Sequence, residues 1–204
     1  MNAFDKTWVG LSLVAVLAVT ATGCSPGNKE AAKSDATEPA VSIVDGQVCS
    51  DASKEKMLSA KDALFTTLSG RLMEAMNSQG PAGAIAVCQK EATKIAKTVG
   101  DEQGLQIGRT GVRLRNQKNV APSWAHQLVQ DKTDTPTFVT LDNGHSAALL
   151  PIKLQGQCLM CHGPKDQIAP AIQEQLSKLY PNDQATGFKE GELRGWFWID
   201  LPGV

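Results

Sequence analysis

Five consecutive residues, Cys158-Leu159-Met160-Cys161-His162, limit what this chain can become more than any other stretch. Two cysteines separated by two residues can reach the two vinyl groups of one porphyrin. A histidine directly after the second cysteine then falls under the iron. C-x-x-C-H is the attachment signature of a c-type haem, so the stretch predicts one covalent haem c. Cys158 and Cys161 would carry it, and His162 would be an axial ligand. A zinc ribbon wants a second close cysteine pair, but Cys24, Cys49 and Cys88 each stand alone. A thioredoxin-like C-x-x-C opens a helix after a strand, and here Gly163-Pro164 follow at once.

Haem of this kind is attached after export, and the N-terminus reads as an export signal. Residues 8–21 are mostly apolar and follow Lys6. The run is short for a membrane span of roughly 20 residues and fits a secretory signal. Ala21-Thr22-Gly23-Cys24 is similar to a bacterial lipobox, which makes Cys24 the acylated first residue of the mature chain. The expected organisation is a signal over 1–23, a tether over 24–52 and a haem domain over 53–204. The tether, rich in Lys, Glu, Ala, Ser and Pro, reads as disordered. The expected location is periplasmic or extracytoplasmic, on a membrane through the lipid. With 20 basic and 21 acidic residues the net charge is −1, so nothing points to nucleic acid or an acidic lipid surface.

Within the domain, Ser50-Asp51 can cap a helix over about 53–77 that places Leu64, Leu68, Leu72 and Met76 on one face. Gly80-Pro81 ends it. A second helix over about 81–99 aligns Ile85, Cys88, Ala92, Ile95, Ala96 and Val99, which aims Cys88 inward. Leu105 to Arg109 reads as a short strand, and Pro122 as the start of a short helix. Thr137 to Asp142 and His145 to Leu150 read as a hairpin turning through Asn143-Gly144 in a two-residue primed turn. A helix over about 170–179 and a final strand over about 192–201 complete the order. Five of the ten aromatic residues (Tyr180, Phe188, Trp196, Phe197, Trp198) lie near the C-terminus, as a wall of the core or of a haem pocket. Helices first and strands after favour an α+β domain with an antiparallel sheet.

The residues alone leave the second iron ligand open among Cys88, Cys49, His126, His145, Met57, Met73 and Met76. Methionine would give an ordinary cytochrome c and histidine a bis-imidazole one. A free inward cysteine is also commonly a small buried hydrophobe. Arg109, Arg113 and Arg115 form a basic cluster suited to haem propionates, since arginine binds carboxylates bidentately; otherwise it is a solvated loop.

Several stretches in this order resemble one bacterial family. They are Gly80-Pro81 with Ala86-Val87-Cys88; Gly108-Arg109-Thr110; Arg115-Asn116 with Asn119, Pro122 and Trp124; and Cys158-Leu159-x-Cys161-His162-Gly163. Tyr180-Pro181, Ala185-x-Gly187-Phe188, Gly191 and Arg194-Gly195 extend the match. The family comprises exported c-haem domains with a PAS-like fold, long catalogued as a domain of unknown function. The resemblance implies N-terminal helices on a PAS-like antiparallel sheet, with His162 and the Cys88 thiolate as axial ligands of a low-potential iron.

Two functions are then expected, with a haem enzyme, which would need one axial ligand to leave, as a weaker third. One is a redox or ligand sensor which, with no output domain before Val204, passes its signal to a separate redox or signalling protein. The other is an electron-transfer cytochrome of the periplasmic respiratory chain. No hydrolytic triad or carboxylate pair stands out, and two strong axial ligands leave iron no open position for catalysis.

Overall fold

The computed structural model describes residues 40–203. The expected signal, Cys24 and the tether as far as residue 39 lie outside them.

The first element, α1, spans Asp51–Gln103, and its start is capped by Ser50, whose Oγ accepts the Ser53 N–H at 3.1 Å. It is not one rod. Gly80 adopts φ 72°, ψ 172°, a backbone state that only glycine reaches freely. Pro81 then begins the second arm, where its missing N–H costs nothing. The arms fold back on each other. Arg71 grips Glu91 with two hydrogen bonds, Nε to Oε2 at 2.6 Å and Nη2 to Oε1 at 2.9 Å. In a straight helix these residues would stand about 30 Å apart, so their contact requires a reversal. Leu72, Ala75 and Met76 pack on Ala84 and Val87 near the bend. Met57, Ala60 and Leu64 meet Ala96 and Val99 at the far end.

Four antiparallel strands follow: β1 Gln106–Thr110, β2 Thr137–Thr140, β3 Ser146–Lys153 and β4 Leu193–Leu201, in the order β1-β4-β3-β2. The architecture is α+β, as expected. Alternation along β4 divides the core. Phe197, Ile199 and Leu201 join Ile107, Ala148 and Leu150 against the two arms of α1. Trp196 and Trp198 face the other way, with Leu149, Leu141, Trp124 and Val129. That second layer includes a 3-10 turn over 123–125 and α2 (His126–Gln130), the short helix expected after Pro122. Trp196 is fully buried and donates Nε1–H to the Thr133 carbonyl at 2.6 Å.

Two expectations need correction. The hairpin turn is not the two-residue primed type, which requires positive φ at both central residues. Only Gly144 is left-handed (φ 82°), and Leu141 accepts from Gly144 while donating to His145. This is a three-residue turn with a glycine bulge. The tether also joins the fold earlier than its composition suggested. Ile43 bridges Leu141, Val44 N–H donates to Thr140, Ser42 accepts from Asp142, and Cys49 is buried.

Candidate functional site

β3 leads into a 3-10 turn over 156–158 and then α3, Leu159–His162, so the C-x-x-C-H motif sits on about one and a half helical turns. The two cysteines face different neighbours. Cys158 and Leu159 pack on Leu154, Ala185 and Phe188. Cys161 packs with Tyr180 on a cluster of Ile85 from α1, Ile168, and Ile172 and Leu176 from α4 (Pro170–Leu179). All four described cysteines carry free thiols.

Residues 183–188 wrap the end of the motif. Phe188 N–H donates to the His162 carbonyl at 3.0 Å, and Gly187 N–H to the Gly163 carbonyl at 2.7 Å. His162 Nδ1 lies 2.7 Å from the Ala185 carbonyl oxygen. A carbonyl can only accept, so Nδ1 carries the proton and Nε2 keeps its lone pair. The Phe188 ring meets the imidazole edge-on, with centroids 6.4 Å apart and planes at 78°. Burial of the ring, then the positive charges of Arg115 and Arg194, push the His162 pKa down to about 3, while the Ala185 bond acts the other way. The imidazole is therefore neutral at physiological pH, the form that binds metal.

The three arginines of the basic segment part company. Arg115 is a strut: it donates to Asp183 at 3.0 Å and to the carbonyls of Cys161 and Ala185. Arg113 lies over Phe188, its guanidinium carbon 3.5 Å from the ring centroid, and donates to the Thr186 carbonyl. The Arg109 side chain has neither hydrogen bond nor ion pair among the described residues, and burial lowers its pKa. Of the three arginines expected to form one cluster, Arg113 and Arg115 are thus engaged by the protein itself and the Arg109 side chain is not, among the described residues.

Cys88 is half-buried one turn beyond Ile85, on the arm of α1 that faces Cys161. Burial raises its thiol pKa, against the opposing pull of Arg109 and Arg115. The competing ligands stand elsewhere. Cys49 donates to the Val139 carbonyl at 2.8 Å. His145 is bound to Asp200 at 2.6 Å, and His126 to the Ala121 carbonyl. Met57 is buried beside the sheet, Met76 packs near the bend of α1, and Met73 is exposed. Sequence reasoning missed Asp183, Ala185 and Arg194 as parts of this site. The only available signal was the position of Ala185 and Arg194 among the motif-bearing stretches.

No curated protein matches the chain. The crystal structure of the cyanobacterial haem protein Tll0287 superposes with a TM-score of 0.55 at 24% identity, covering 76% of this chain and 98% of that one. At that identity the likeness is one of fold. The model of the Tll0287-like family matches residues 29–202. The chain belongs to the Tll0287-like family.

Proposed function

We propose that this chain is an exported c-type haem protein. Cys158 and Cys161 form the thioether links, and His162 Nε2 and the Cys88 thiolate are the axial ligands. The observation that carries the reading is the state of His162: neutral, oriented by Ala185, with no Nε2 partner among the described residues and two thiols on the same short helical segment. The donor set fits the group, since the opposing arm of α1 supplies a third thiol and Arg109 an unpaired cation. That Tll0287, which shares the fold, is a haem protein supports it further. Bound there, haem supplies a one-electron couple. The chain's own residues hold it, orient the imidazole and surround the thiolate with arginine charge.

The physiological role we favour is a redox or ligand sensor that signals to a separate protein, on a domain that we read as PAS-like. The sheet order β1-β4-β3-β2 is compatible with that fold. Acylation at Cys24 would hold it at a membrane on the extracytoplasmic side, and mass spectrometry of the mature N-terminus tests this; an unmodified terminus elsewhere refutes it. Electron transfer is the second reading, favoured by Met160, the 41% exposed variable residue of the motif. An attachment segment at the surface brings the haem edge near a redox partner. Absorption spectra of the purified protein, oxidised and reduced, test the common core of both readings. Low-spin thiolate-ligated ferric haem supports it, and a methionine-type ferric spectrum contradicts the ligand set.

A further inference from the structure

Resting on the haem reading, we propose that Arg194 and Arg109 are the binding site for the two carboxylates of the porphyrin. Arg194 owes its position to an irregularity in the sheet. Ile152 pairs with Gly195 and Lys153 with Leu193, so one residue of β4, Arg194, is left over between them. A bulge of this kind re-aims the extra side chain. In regular alternation Arg194 would follow Trp196 and Trp198 onto the tryptophan face. Instead its guanidinium carbon lies 5.6 Å from the Phe188 centroid, beside the ring that meets His162, with Nη1 donating to the Arg113 carbonyl at 3.0 Å.

Its Nε is buried with no partner among the described residues. An unmade bond on a buried cation is costly, and a carboxylate would complete it. Arg109 is the other arginine of the site with no acid beside it among the described residues. The remaining two are answered by acids: Asp183 binds Arg115 at 3.0 Å, and Glu192 stands 3.9 Å from Arg113. Two uncompensated guanidinium groups remain where the cofactor brings two carboxylates. Arg109 pairs with Phe197 on the face of the sheet that packs against α1, the element that carries Cys88. Mutual repulsion supports the same reading: burial first, then Arg115, Arg109 and Arg113, bring the Arg194 pKa down to about 10. Arginine rather than lysine suits the task, because its fork meets a carboxylate through two parallel hydrogen bonds.

The test is resonance Raman spectroscopy of the haem-loaded full chain, reading the propionate bending band, beside a redox titration. Arg194→Gln and Arg109→Gln should each shift that band. Each should also move the ferric-to-ferrous ratio at fixed applied potential toward ferric by on the order of tenfold, the effect of one charge roughly 10 Å away at an effective dielectric of about 20. Arg113→Gln, which removes a residue already engaged, should leave the band in place. Arg194→Lys keeps the charge and loses the fork, so the band should shift with little change in ratio; it also serves if the glutamine variant does not mature. An unmoved band in the Arg194 and Arg109 variants, with haem intact, overturns the carboxylate site alone. Absence of covalent haem in the wild-type chain overturns the haem reading beneath it.

Discussion

The Ala185 carbonyl oxygen is shared by two donors, His162 Nδ1 at 2.7 Å and Arg115 Nη2 at 3.2 Å. The bond that sets the histidine tautomer is therefore built into the strut that braces the motif. Asp183 completes the frame: it binds Arg115 Nε through one oxygen and the Ala185 N–H through the other, at 2.7 Å. Orientation of the imidazole depends on a carboxylate that never touches it.

Asp183→Asn should loosen that frame. The Asp183 and Arg115 side chains are 9% and 13% exposed, so the substitution leaves a largely buried cation without its acid, at a cost of about 3 kcal/mol. Urea denaturation should show this loss, and the low-spin electron paramagnetic resonance lines should broaden as the ring gains freedom. Unchanged stability would mean that Arg115 is held by carbonyls alone.

The reversal of α1 carries a pH signature. The hydrogen bond from Arg71, ahead of the opposing effect of partial burial, lowers the Glu91 pKa below its ordinary 4.5. A lowered acid stabilises the fold above its unfolded pKa, and that contribution is lost as pH falls through the folded value. The melting temperature of the wild type should exceed that of Glu91→Gln at neutral pH. The gap should close below about pH 4.5. A gap that does not change with pH would place the effect in packing instead.

Gly108 lies under the Trp198 ring, and a Cβ added there would come 2.5 Å from the indole. Gly108→Ala should destabilise by about 1–3 kcal/mol, the usual cost of overpacking a filled core. Thermal melting measures the loss, and tryptophan fluorescence reports displacement of the ring. A silent substitution would show that Trp198 moves aside freely.

Cys88→Ala separates the proposed second ligand from its competitors. Negative charge on sulfur favours ferric over ferrous iron, and axial ligand and surroundings together move haem potentials across about 0.8 V. The variant should lose the low-spin thiolate signature, show a raised potential and bind carbon monoxide more readily. An unchanged spectrum and potential would place the sixth ligand elsewhere.

What the sequence disclosed follows a physical divide. Local signals were legible: the break at Gly80-Pro81, the inward stripe through Cys88, the helix over 170–179 and the strand ending at Leu201 all follow from periodicity and backbone chemistry. The Asn143-Gly144 pair marked the turn but not its type, because a glycine bulge and a primed turn use the same residues. The pairing of Arg115 with Asp183 was not legible, since the two are 68 residues apart and nothing local announces it. The direction of Arg194 was hidden for a related reason: it depends on a one-residue slip between β3 and β4, which neither strand encodes alone. The pairing of Ile43 with Leu141 was not legible because the mostly apolar run 40–44 is short and follows a long polar stretch.

The measurement that bears most directly on the account is the intact mass of the chain matured with c-haem attachment machinery, followed by acid-acetone extraction. The account predicts a mass greater than the polypeptide by one haem that stays with the protein on extraction, and Cys158→Ala with Cys161→Ala should abolish it. A polypeptide of unmodified mass, haem that extracts freely, or a bound zinc ion instead would contradict it.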